Sequence, residues 1–135
     1  MTVEPLDHLV ELGALQQLFQ QTVPSVDGGV RVPWCGRWRV RDLVVHLSRV
    51  HHWAAAQARR GPTIALGRGP FDLEDLYRDC AEELLTTLAA LPPEAPCPTL
   101  EGPGTTSFWR RRQVHETAVH LWDLRTAAGL PVEVP

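Results

Sequence analysis

Phe108-Trp109-Arg110-Arg111-Arg112-Gln113-Val114-His115-Glu116-Thr117-Ala118-Val119-His120-Leu121-Trp122-Asp123 is the stretch that decides how this chain is read. It lies within a segment of helical periodicity that starts near Thr105 or Thr106 and ends near Ala128. Gly129 is placed just past the helix end, and Pro131 follows. At about 100° per residue, Trp109, Arg112, Glu116, Val119, His120, Asp123 and Ala127 fall within about 60° of Glu116. Arg111, Ala118 and Arg125 fall on the opposite side, which reads as solvent. The apolar face therefore carries a row of ionisable groups, Arg112, Glu116, His120 and Asp123. An unpaired charge on a buried face costs roughly several kcal/mol, so such a row must be paired, metal-bound or facing a wet pocket.

Glu116 and His120 stand one helical turn apart and can reach one point. Asp123, three residues beyond His120, is within reach to accept a hydrogen bond from it or to contact a substrate. An upstream helix, about Arg39 to Arg59, offers His46 beside the apolar residues Leu43, Val50 and Trp53. His46 with Glu116 and His120 makes a His₂Glu set, and three protein ligands with an open position is the pattern of catalytic zinc. Taken singly, each part has a plainer explanation. A lone His at the edge of an apolar face is more often a satisfied core residue, and an E-x-x-x-H pair is more often a surface pair.

The segment His115 to His120 is one residue too long for an HExxH zinc motif. Its two histidines lie about 140° apart at helical pitch and cannot share an ion. His51 and His52 are expected at the surface. Among Arg110, Arg111 and Arg112, one arginine, Arg112, is expected inward and two solvated. Cys35 lies near a helix start with no histidine placed to activate it and is expected to be inert; Cys80, on an apolar stripe, is expected in the core.

Outward from these helices, Pro and Gly cluster at about Val23–Pro33, Gly61–Pro70 and Pro92–Gly104, leaving four helical segments. The first runs from about Leu6 to Thr22 and is stopped by Pro24. The third is capped by Asp72, carries Leu73, Leu76, Tyr77, Cys80, Leu84, Leu88 and Leu91 on one face, and ends at Pro92-Pro93. Strand patterns are poor. The expected fold is all-α, a four-helix bundle, and the long second and third loops leave a plain up-down-up-down order open.

The chain has 135 residues, expected to form a single domain over 1–135 with no second domain. All 13 basic residues are arginine, and the absence of lysine excludes Schiff-base chemistry and a phosphate-loop lysine. Arginine in place of lysine is also what GC-rich codons produce. The net charge of -3, with arginines mostly dispersed, argues against nucleic acid as a partner. Met1-Thr2-Val3-Glu4-Pro5 lacks the apolar run of a signal peptide, no segment is long enough to span a membrane, and three cysteines in no paired spacing argue against a disulfide framework. The expected location is the cytoplasm, with reduced thiols.

Val32-Pro33-Trp34-Cys35-Gly36-Arg37-Trp38-Arg39-Val40-Arg41-Asp42-Leu43-Val44-Val45-His46-Leu47 resembles the VP-x-C-x-GW-T-V-RDLV-x-HL stretch of the mycothiol-dependent maleylpyruvate isomerase N-terminal domain, of the DinB/YfiT-like bundle superfamily. The stretch Phe108 to Asp123 resembles the same family's FW-x-R-R-x-x-HE-x-x-x-H-x-WD block, and the order and separation of the two blocks also fit. The resemblance implies a bundle whose divalent metal, usually zinc, is held by His46, Glu116 and His120, the trio that helical geometry proposes. It also implies a thiol cofactor, mycothiol in the actinobacterial branch, whose sulfur takes the open metal position. The chain departs from the pattern at Arg39, where Ser or Thr usually caps the helix; Asp42 in the first turn can compensate through the helix dipole.

The expected function is a metal- and thiol-dependent S-transferase or isomerase acting on a small electrophilic substrate. His46, Glu116 and His120 hold the metal, Asp123 orients His120 or contacts the thiol cofactor, and Arg112 binds a carboxylate of substrate or cofactor. No nucleic acid or membrane partner is expected, and a homodimer is compatible with the sequence. The alternatives are a non-catalytic metal- or ligand-binding regulatory or assembly bundle, a structural bundle in which the ionisable row is a buried salt-bridge network, and hydrolysis by metal-bound water.

Overall fold

The computed structural model describes residues 7–132. Four helices, α1 (His8–Thr22), α2 (Val40–Ala58), α3 (Leu73–Ala90) and α4 (Thr106–Ala127), form the bundle, and a hairpin of β1 (Pro96–Thr99) and β2 (Gly102–Thr105) joins α3 to α4. No described helix is long and apolar enough to cross a membrane. Leu6 and the N-terminal pentapeptide lie outside the described residues.

The helix ends follow from their residues. Asp7 accepts from the backbone N–H of Leu9 and Val10, at 3.0 and 3.3 Å, and opens α1. Asp72 does the same for α3 through the N–H of Asp75 at 2.9 Å. At the head of α2 the cap residue is Arg39, which has no oxygen to offer. Asp42, three residues on, instead accepts the Arg39 N–H at 2.9 Å, so the compensation is a direct hydrogen bond rather than a dipole effect alone. At the end of α4, Gly129 takes φ +70°, a conformation open to glycine, and the Leu130 N–H closes back on Arg125 at 2.9 Å.

The helices are ordered α1, α4, α2, α3 around the bundle, with α2 packed most closely on α3 and α1 on α4. Only α2 and α3 are neighbours both in sequence and in space, so the chain is not an up-down-up-down series. The consequence for function is that α2 and α4, distant in sequence, lie side by side. Leu43 and Leu47 of α2, Leu84 and Leu88 of α3, Phe19 of α1 and Trp109, Leu121 and Leu124 of α4 fill the core.

The hairpin was not expected from the sequence. Its strands hold Pro96, Pro98 and Pro103, which a central strand would reject for want of N–H donors; in a two-stranded ribbon each strand keeps a free edge for them. The ribbon packs under α4, where the Trp109 indole N–H donates to the Pro98 carbonyl at 2.8 Å.

Candidate metal centre

The residues that α4 buries are Thr106, Trp109, Gln113, Val114, Thr117, Leu121, Asp123 and Leu124, so that of the ionisable row only Asp123 is fully covered. Relative to the expectation centred on Glu116, the buried face is turned by roughly a right angle at helical pitch. The ionisable row therefore runs along the edge of the bundle rather than through it. Val119, expected inside, is 43% exposed, and Ala118, expected at the surface, packs against the core. The arginine that turns inward is Arg110, not Arg112. Arg110 donates to the carbonyls of Leu88 and Leu91 and satisfies the end of α3, while Arg112 is largely exposed.

At this edge Glu116 and His120 meet His46 of α2. One donor atom from each residue can be chosen so that all three lie within 4.8 Å of one another, and all three residues are half-buried. The His46 ring stacks against Trp38 at 4.8 Å and meets His120 edge-on at 5.1 Å. Trp38 is placed by the loop before α2, which Arg39 fastens by donating to the Gly29 carbonyl at 2.6 Å. On α4 the Arg112 guanidinium lies 2.9 Å from one Glu116 oxygen, and His120 Nε2 lies 3.5 Å from the other. His120 Nδ1 lies 3.2 Å from an oxygen of Asp123, which is buried. A carboxylate on Nδ1 holds the proton there and turns Nε2 toward Glu116 and His46.

The charges follow from this crowding. Burial pushes the His46 imidazole below its ordinary value, and His120 adds to the effect against the pull of Glu116. The hydrogen bond from His120 holds the Glu116 carboxyl below the usual carboxylate range, with Arg112 assisting against burial. At His120 burial acts downward, but the bonds to Glu116 and Asp123 outweigh it and the value rises. Two imidazoles and a carboxylate are a borderline donor set of the kind zinc takes. Their spread is small enough for side-chain rotation to bring them onto one ion with bonds of about 2.0–2.1 Å.

Two further features adjoin the cluster. Cys35 is half-buried beside Asp123; burial, then the Asp123 charge and hydrogen bond, push its thiol up and keep it protonated, in keeping with an inert thiol. On the other side of His46 a cleft of about 650 Å³ is walled by Trp38 and Phe71 and carries Arg41, Arg49 and Arg68. Arg49 lies over the Phe71 ring, 5.7 Å from its centroid, and donates to the Gly67 carbonyl. None of these arginines was singled out from the sequence, because the loop that brings Arg68 and Phe71 to α2 has no periodicity to read.

A known family matches most of the chain. The profile of the mycothiol maleylpyruvate isomerase N-terminal domain matches residues 21–125, which takes in both motif blocks. The chain belongs to this family. Membership brings a mycothiol-related, metal-binding, isomerase- or transferase-like function at the level of the family, and the four helices agree with its DinB-like bundle. No curated protein and no solved structure matches the chain.

His51 and His52, expected at the surface, are buried, with His51 at 0% exposure. Eleven of the nineteen residues of α2 are buried, because α3, α4 and the following loop enclose it on most sides. His52 joins Glu83 of α3 to the Ile64 carbonyl, each at 2.5 Å. His51 reaches Gln113 and Tyr77.

Proposed function

We propose that this chain is a divalent-metal- and thiol-dependent S-transferase or isomerase for a small electrophile, with zinc as the metal and mycothiol as the thiol, working in the cytoplasm. The observation that carries the reading is the convergence of His46, Glu116 and His120 from two helices, with His46 also lining a cleft. His46, Glu116 and His120 would hold a zinc ion, which would supply the Lewis acidity that lets a thiol ionise near neutral pH.

The chain's own residues have separate duties around it. Asp123 holds the Nδ1 proton of His120 and presents Nε2 as the ligand atom. Arg112 assists His120 in keeping Glu116 ionised and lies 2.9 Å from one of its oxygens, while its exposed side leaves it open to a carboxylate of substrate or cofactor. Trp38 and Phe71 wall the cleft and exclude water from a thiolate's approach to carbon. Arg41 and Arg49 give an anionic substituent of the electrophile a place to lie. Isomerisation of an activated double bond and S-conjugation by addition share the same first event: the thiolate forms a bond to the electrophilic carbon as the π bond breaks and its electron pair moves onto the activating group. A proton from solvent then completes conjugation, whereas rotation and expulsion of the thiolate complete isomerisation.

Elemental mass spectrometry of the purified protein is the test of the metal set. His46→Ala and Glu116→Ala are expected to lose most bound metal, and unchanged stoichiometry sinks the triad. Thiol-dependent consumption of an electrophile by the loaded protein is expected in the same preparations. Metal retention without such turnover leaves a non-catalytic binding bundle.

A further inference from the structure

Close to the candidate centre, on the same two helices, lies a second polar cluster with a different character. His51 of α2, Tyr77 of α3 and Gln113 of α4 are all fully buried. His51 Nδ1 lies 3.0 Å from Gln113 Oε1, and His51 Nε2 lies 3.1 Å from the Tyr77 hydroxyl. Gln113 Oε1 can only accept, so Nδ1 carries the imidazole proton and Nε2 accepts from Tyr77. Burial pushes the His51 pKa down to about 4, so the ring is neutral near pH 7. The side-chain nitrogen of Gln113 is buried with no partner among the described residues.

A polar trio with one orphaned donor is a costly way to fill a core that apolar side chains would fill without loss. What it supplies is direction. Leucine packing on α2 and α4 constrains the helices through shape, and a hydrogen bond of 3.0 Å between defined atoms adds a directional constraint to it. His46 pairs with Glu116 and His120, and His51 pairs with Gln113, so the pairings run in opposite sequence directions and the two helices are antiparallel. Gln113 stands three residues from Glu116, and His51 five from His46, about one turn away on each helix. A slip of one residue would move donors by about 1.5 Å, against a tolerance of about 0.2 Å in metal–ligand distance.

We infer that the His51–Gln113 hydrogen bond is the positioning device that sets α2 against α4 so that His46 meets Glu116 and His120 on one ion. This rests on the metal reading of those three residues.

The test uses zinc alone, in competition with a chromophoric chelator, below the unfolding temperature. The triple variant His51→Leu/Gln113→Leu/Tyr77→Phe removes every partner together and leaves no new orphaned group among the three. It is expected to keep wild-type helicity and a melting temperature near or above that of the wild type, yet to bind zinc about tenfold or more weakly. Wild-type zinc affinity in this variant overturns the inference. Should the triple variant lose its helicity, Tyr77→Phe and Gln113→Met supply the contrast. The first keeps the bond between α2 and α4 and wild-type affinity; the second breaks that bond and is expected to lose about tenfold. Equal affinity in the two overturns the inference. His120→Ala, run alongside, separates the failures. If it holds zinc like the wild type, the metal reading falls and the positioning role with it; if it loses zinc while the other variants do not, only the positioning role falls.

Discussion

Two polar clusters bridge α2 and α4 about one turn apart, and they are built on opposite terms. In the inner one, His51, Gln113 and Tyr77 are sealed from solvent, and each contact joins a donor to an acceptor. In the outer one, His46, Glu116 and His120 are half-buried and His46 lines a cleft; Glu116 and His120 pair along α4, and His46 approaches them without an ion pair among the described residues. Geometry therefore separates them more clearly than composition, since each contains histidine. A buried histidine with both nitrogens matched has nothing left to offer a ligand. Converging half-buried donors do, and their mutual crowding is relieved when a cation enters.

Acid breaks the comparison most strongly at His51, the more deeply buried of two histidines whose pKa burial lowers, the other being His46 of the outer cluster. The His51 pKa lies at about 4 in the folded chain against 6.5 when free. The unfolded chain thus binds the proton first, and the His51 contribution is present above pH 6.5 and lost as pH falls toward 4. The full loss is about 3 kcal/mol. Denaturant titrations between pH 7 and 4 are expected to show this as the difference between the wild type and His51→Leu/Gln113→Leu/Tyr77→Phe, since the outer groups titrate in both. Parallel pH profiles for the two proteins would place the ring in contact with water.

Metal acts on the other member of the pair. Zinc at a hundred times its dissociation constant stabilises the folded state by about 2.7 kcal/mol, about 10 °C in melting temperature for a domain of this size. Chelator is expected to remove that increment, and Glu116→Ala to abolish it. An increment that persists in Glu116→Ala would move the ion elsewhere. The smallest effect is expected at Arg112, the exposed partner of the half-buried Glu116. Arg112→Ala should cost less than about 1 kcal/mol of stability. It should still weaken zinc binding measurably in a competition titration, because Glu116 loses the cation that favours its ionised form; an unchanged zinc affinity would remove Arg112 from the centre.

Local spacing carried much of this. Asp72, the Pro92-Pro93 stop and Gly129 marked helix ends correctly because capping depends on residues within a turn of one another. Glu116 and His120 were paired for the same reason. The absolute facing of α4 was not legible: periodicity relates residues to one another but does not say which side meets the bundle, so Arg110 and Arg112 exchanged their expected places. The histidine pair was misread because amphipathic reasoning assumes one buried side, and α2 is enclosed on several.

By itself, then, the sequence determined four helices, the ends marked by Asp72, Pro92-Pro93 and Gly129, and an i,i+4 donor pair, all consequences of interactions between near neighbours along the chain. The two motif blocks also carried the family. Only the tertiary structure decided that α2 lies beside α4, that His46 meets Glu116 and His120, that Cys35 meets Asp123, and that His51 is sealed while His46 is not. Those outcomes join residues far apart in sequence, and they depend on helix order and rotation, which only the packing of the whole core sets.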